Sequence, residues 1–126
     1  MAQGRVVFIN GRYNERTLLE WLPGVVARIV QRFSPLQVIL FGSLAKGQET
    51  PHSDIDLLVV LPHVENKRQT AIEIGVAIAD FPVPVDIIVT DPKEIASRGN
   101  EPGSVLKAAL TEGRLVYEHA ERHQPV

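Results

Sequence analysis

The sequence predicts an α/β domain built on one small sheet. Three short apolar runs carry that prediction: Gln37–Phe41 (QVILF), Ile55–Leu61 (IDLLVVL) and Val83–Thr90 (VPVDIIVT). Each is bounded by proline or glycine and is short enough for a buried strand. Segments of helical periodicity alternate with them, which is the pattern of helices layered on a sheet. The chain has 126 residues, 44% of them apolar, enough for one core and too few for two. Lys plus Arg number 13 and Asp plus Glu 15, a formal charge of −2. That balance argues against bulk nucleic-acid binding, though a local basic patch stays open. The absence of cysteine excludes disulfides, zinc-thiolate sites and a thiol nucleophile. With no signal-peptide core and no apolar run of about 20 residues, a cytoplasmic location without membrane insertion is expected.

Taken in order, residues 5–13 (RVVFINGRY) are β-type on either side of Asn10-Gly11, a hairpin-turn dipeptide. Leu18, Leu22, Val25, Val26, Ile29 and Phe33 then form one apolar helical stripe, with Asn14 as the expected N-cap. Pro23-Gly24 interrupts it, predicting two short helices or one kinked helix ending near Ser34-Pro35. After the first strand, residues 43–47 read as a turn or short helix closed by Gly47. Residues 65–80 are helical, and their apolar positions span an arc wide enough to suggest burial beyond one sheet face. The third strand follows, its prolines tolerable at a strand start or edge. Thr90 or Asp91 before Pro92 caps a short helix. Ser104 to Thr111 is the last helix, with Gly113 behind it, and Leu115 to Tyr117 a final short strand. The whole chain, 1–126, is read as a single domain with a core of about 24–118, an N-terminal extension 1–13 and a tail 119–126.

The chemistry concentrates in Phe41-Gly42-Ser43-Leu44-Ala45-Lys46-Gly47 and Ser53-Asp54-Ile55-Asp56-Leu57. Strand alternation puts Asp54 and Asp56 on one face, about 6–7 Å apart. Two like charges at the mouth of a buried strand repel, and a hard divalent cation would offset that repulsion. Solvated aspartates in a turn are the alternative. Asp86 sits in a strand that reads as buried, where a charge is costly unless paired or metal-bound. It is a candidate third ligand and acceptor for a nucleophile's proton; otherwise it is a surface aspartate on an edge strand. Gly42 permits close backbone approach to a phosphate, and Ser43 and the adjoining N–H groups would donate to it. Lys46 could neutralise phosphate charge or be merely solvated. Ser53 reads as a local cap, and His52 as a solvated turn residue. No Walker-type glycine pattern is present.

Together, FGSLAKG, then SDIDLLV after a five-residue spacer, then VDIIV, closely resemble the minimal nucleotidyltransferase (MNT) domains of the DNA polymerase β-like superfamily. The likeness covers about residues 24–118, with a similar ending at Thr111-Glu112-Gly113-Arg114-Leu115. It implies the polymerase β-like nucleotidyltransferase fold, a small mixed β-sheet with helices packed mainly on one face. It also implies transfer of a nucleoside monophosphate from ATP or another NTP to an acceptor hydroxyl, with two Mg²⁺ ions held by Asp54, Asp56 and Asp86. Gly42 and Ser43 match the triphosphate-holding pair. Lys46 stands where many relatives carry Arg, keeping the charge but not the bidentate geometry. Minimal members often occur as the antitoxin partner of a HEPN-domain ribonuclease toxin, and some adenylylate a tyrosine on it.

Three functions follow as expectations. The first is an Mg²⁺-dependent adenylyltransferase acting on a partner protein such as a HEPN toxin. The second is a non-catalytic module that neutralises its partner by contact, through apolar positions on the 65–80 helix or the 1–13 extension. The third is a small-molecule nucleotidyltransferase of the aminoglycoside-modifying type, whose relatives carry a further helical domain that 126 residues do not hold. Because every identifiable motif serves the nucleotide and its metals, the acceptor half of the site is expected on a partner. The wide apolar arc also suggests homo-oligomerisation.

Overall fold

The computed structural model describes residues 8–9, 12–13, 16–50 and 52–119. Two two-residue strands, β1 (Phe8–Ile9) and β2 (Arg12–Tyr13), pair antiparallel, Phe8 with Tyr13 and Ile9 with Arg12; the expected turn at Asn10-Gly11 lies outside the described residues. Helix α1 (Leu18–Phe33) follows as one uninterrupted element. Its cap is Thr17 rather than Asn14, which lies outside the described residues. The Thr17 N–H donates to Glu20 Oε1 at 2.8 Å, and the Glu20 N–H returns to Thr17 Oγ1 at 3.1 Å, a reciprocal capping box. The helix runs through Pro23 because that residue is exposed, so the carbonyl it leaves free can meet water.

Strands β3 (Gln37–Phe41), β4 (Ile55–Val60), β5 (Val85–Thr90) and β6 (Arg114–Glu118) form a mixed sheet in the order β5-β4-β3-β6. β3 is antiparallel to both β4 and β6, and β4 is parallel to β5. A parallel pair needs a crossover, which α3 (Lys67–Ala77) supplies. The four-residue α2 (Gly42–Ala45) leaves the end of β3, and α4 (Pro92–Arg98) and α5 (Val105–Glu112) connect β5 to β6. Asp91 and Ser104 cap these last two helices, and Pro92 takes the first position of α4, as the sequence predicts. No described helix is long and apolar enough to cross a membrane.

Period-2 alternation divides the core between two faces. On one face, Val38, Leu40, Leu57 and Val59 pack with Leu22, Val25 and Ile29 of α1 and Ile74 of α3. On the other, a smaller cluster joins Ile39, Leu58 and Val60 to Ala109 of α5, with Ile95 of α4 against it. Most helical packing therefore lies on one face. α3 is less buried than its composition suggests: Ile74 is enclosed, while Ile72 and Val76 are 52% and 71% exposed. Gly113 earns its place by close approach, since a Cβ there would strike the Leu40 carbonyl oxygen and Ile39 where α5 turns into β6.

Leu57, fully buried on the central strand, tests this division. Leu57→Ala should cost about 2–5 kcal/mol by urea unfolding, whereas Val76→Ala should stay within about 0.5 kcal/mol.

Candidate active site at the end of the sheet

The acidic residues meet where β3 ends and β4 and β5 begin. In the parallel ladder Asp56 is the register partner of Asp86, and on its other side Asp56 faces Phe41 of β3. Alternation sets Asp54 and Asp56 on the face shared by Leu58 and Val60, and Asp86 on that of Ile88. The three carboxylates expected from sequence thus stand at one corner of one sheet face. Asp86 takes the alternative placement, an open aspartate on an edge strand. β5 is an edge strand and Asp86 is exposed, so its burial gives no reason for a cation; its alignment with Asp56 does.

Gly42 closes the corner from the β3 side. Its φ of 78° is in the left-handed region, and a Cβ at this position would land on the Asp56 carboxylate. Any other residue would be strained and would push Asp56 away. Ser43, the first residue after it, has its Oγ 3.1 Å from Ser53 Oγ. Ser53 is buried and also accepts the Thr50 N–H at 2.7 Å, so it ties the loop before β4 to the turn after β3. This confirms a structural part for Ser53 and gives it a reach that a local cap would not have. His52 is exposed in that turn. Lys46 Nζ lies 3.3 Å from Glu112 Oε1 at the end of α5, an exposed ion pair that holds the α2 turn beside the final helix.

Charge repulsion is concentrated on Asp56. Burial, the charge and hydrogen bond of Asp54, and the charge of Asp86 together push its carboxyl up to about 6. Among the described residues, no three acidic or imidazole side chains already form a metal cage. The donor set nevertheless suits hard cations: oxygen ligands only, with a central carboxylate whose ionised form lacks compensation. In the preceding loop, Glu49 Oε2 is buried without a hydrogen-bond partner, an acceptor that sequence reading does not single out.

One residue missed by sequence reading acts from the far end of the strands. Asp91 is expected as a helix cap, and its Oδ1 does accept the Glu94 N–H at 2.9 Å. Its Oδ2 also accepts the Val64 N–H at 3.1 Å, with Lys67 Nζ at 3.7 Å. The hydrogen bonds hold this carboxyl below its ordinary range. Asp91 therefore fastens the loop leaving β4 to the end of β5, which helps to fix the register that aligns Asp56 with Asp86.

A raised carboxyl makes a signed prediction. Between about pH 4 and pH 6 the folded chain keeps a proton on Asp56 that the unfolded chain has lost, so this group's contribution to stability falls as pH rises through that window. In chelator, thermal scans should show a component on the order of 1 kcal/mol, allowing for solvent screening, that favours pH 5 over pH 7. Asp56→Asn should remove it, and Mg²⁺ should stabilise the wild-type protein more at pH 7 than at pH 5.

No curated protein matches the chain. Among solved structures, it resembles a crystal structure from Sulfolobus solfataricus of a protein assigned as a nucleotidyltransferase, with a TM-score of 0.58 over 80% of each chain at 23% identity. That likeness establishes the fold. The sequence profile described as "Nucleotidyltransferase domain" matches residues 22–116, most of the chain and the whole corner from Gly42 to Asp86. The protein belongs to the nucleotidyltransferase-domain family.

Proposed function

We propose that the chain is an Mg²⁺-dependent nucleotidyltransferase that moves AMP from ATP to a hydroxyl on a partner protein such as a HEPN-domain toxin, and thereby acts as its antitoxin. The observation that carries this reading is the register pairing of Asp56 with Asp86, beside Asp54 and against the Gly42 turn. Asp54 and Asp56 would hold the cations, with Asp86 as the third ligand. Bound divalent cations would supply charge neutralisation on the triphosphate and the departing pyrophosphate.

The protein's own contribution is orientation and proton handling. The N–H groups after Gly42 and the Ser43 hydroxyl would donate to the β- and γ-phosphate oxygens, directing the α-phosphorus towards the carboxylates. Lys46 would add positive charge on the phosphate side if it exchanges its Glu112 partner for the nucleotide. The acceptor oxygen bonds to the α-phosphorus, the bond from that phosphorus to the oxygen bridging the β-phosphate breaks, and pyrophosphate leaves. Asp86, the most open of the three carboxylates, would take the acceptor's proton. Its exposure on an edge strand suits an acceptor delivered by another macromolecule.

Incubation with ATP labelled at the α-phosphate, Mg²⁺ and the cognate partner tests the reading. Label should pass to the partner, and Asp54→Asn, Asp56→Asn and Asp86→Asn should each slow transfer by on the order of a hundredfold or more. Ser43→Ala should raise the KM for ATP. Formation of the complex without label transfer would overturn the chemistry in favour of neutralisation by contact. Transfer to an aminoglycoside instead would overturn the protein acceptor.

A further inference from the structure

Three hydroxyls touch one another between the start of α2 and the start of β4, and the number of their protons limits what they can do. Ser53 Oγ lies 3.1 Å from Ser43 Oγ, 3.3 Å from Thr50 Oγ1 and 2.7 Å from the Thr50 backbone nitrogen. A backbone N–H only donates, so it takes one of the two lone pairs on Ser53 Oγ. One lone pair and one proton remain for two hydroxyl neighbours. Ser53 therefore donates to one of them and accepts from the other.

Two arrangements satisfy that count. In the first, Thr50 donates to Ser53, Ser53 donates to Ser43, and the Ser43 proton points away from the network. In the second, Ser43 donates to Ser53, Ser53 donates to Thr50, and Ser43 presents lone pairs outward. Thr50 Oγ1 accepts the His52 N–H at 3.2 Å in either case. Both arrangements make the same hydrogen bonds within the protein and leave one hydroxyl proton over, on Ser43 in the first and on exposed Thr50 in the second. Ser53 is only 6% exposed, so water does not readily replace either neighbour.

A phosphate oxygen breaks this tie. An ionised phosphate accepts hydrogen bonds, so it fits the first arrangement and is repelled by the outward lone pairs of the second. In the first, the hydroxyl dipoles run from Thr50 through Ser53 to Ser43 with their positive ends towards the anion, and each polarises the next. The main chain of Ser43 is fixed as well, because its carbonyl accepts the Lys46 N–H at 3.1 Å and the Gln48 N–H at 2.9 Å. With Ser53 against its Oγ, the direction of the hydroxyl proton is the freedom left to Ser43. We infer that Ser53 is a positioning residue for the phosphate subsite: it holds Ser43 in a two-state hydroxyl network with Thr50, and an arriving phosphate selects the state in which Ser43 donates outward. The inference rests on Ser43 being the phosphate donor of the proposed function.

Calorimetric titration of the full chain with Mg²⁺–ATP, and with Mg²⁺–tripolyphosphate as a probe without base or sugar, tests it. Ser43→Ala and Ser53→Ala should each weaken binding of both ligands by about threefold to tenfold. The double variant should bind like Ser43→Ala alone, because Ser53 acts only through the Ser43 hydroxyl. Thr50→Val keeps the shape of an exposed side chain and deletes the alternative acceptor, so the Ser53 proton is left with Ser43. Its affinity should stay at the wild-type value or tighten by up to about twofold, the gain from populating one of two equal states. Should Ser53→Ala fail to fold by circular dichroism, Thr50→Val decides alone. Weaker binding by Thr50→Val would overturn the inference, since the hydroxyls would then serve the shape of the loop. A further loss on adding Ser53→Ala to Ser43→Ala would also overturn it, with Ser53 meeting the phosphate itself. Wild-type protein that binds neither ligand would overturn the phosphate reading of Ser43 and this inference together.

Discussion

The parallel register between β4 and β5 is the constraint on which the candidate site depends. Asp56 and Asp86 are thirty residues apart in sequence and adjacent only because Ile55 pairs with Val85 and each following residue keeps step. A slip of one residue would turn Asp86 to the opposite face and direct Ile87 towards Asp56. Several bonds oppose that slip. The Ile55 N–H donates to the Pro84 carbonyl where the pair begins, and the Leu61 N–H to the Thr90 carbonyl where it ends. Beyond that end, Asp91 takes the Val64 N–H. The apolar face adds its own demand, since Leu57, Val59 and Val89 must remain beneath α1 and α3.

This arrangement puts stability and chemistry in tension. β4 is buried along nearly its whole length, and Asp56 is the only partly exposed residue in it. Burial, Asp54 and Asp86 push its carboxyl up to about 6, and the Gly42 backbone closes on it from the β3 side. The strand core supplies rigidity, and the acidic corner spends some of it. An uncompensated carboxylate beside two others, held by a scaffold it does not stabilise, is the pattern expected where a cation and a polyphosphate complete the balance.

What was legible in sequence follows the range of the interactions involved. Strands β3, β4 and β5 were legible because their apolar runs end at proline or glycine. The Asp91-Pro92 and Ser104 starts were legible because capping acts within three residues. The cap of α1 was misplaced because Asn14 and Thr17 are both acceptable caps, and only the Glu20 side chain returning to the Thr17 N–H selects between them. The path through Pro23 depends on which side of the helix faces water. Asp86 was singled out because strand composition suggested burial, whereas the alternative, an open aspartate on an edge strand, is what its position gives. The reach of Asp91 to Val64 crosses 27 residues and has no local signal.

The same contrast explains why the two edges of the sheet differ. At β5 the entering prolines withhold donors, and the exposed carboxylate of Asp86 discourages a strand from pairing flat against the site. Under the proposed function, that open edge is where the acceptor would approach. At β6 no proline enters the strand, and a bulge turns two consecutive side chains, Val116 and Tyr117, towards α1, lining an apolar groove beside an edge that no other described strand covers. An edge that served the proposed transfer would have to remain open, and the entering prolines and Asp86 keep β5 so. The candidate site residues gather on β3, β4 and β5, and their grouping rests on the register among those three strands.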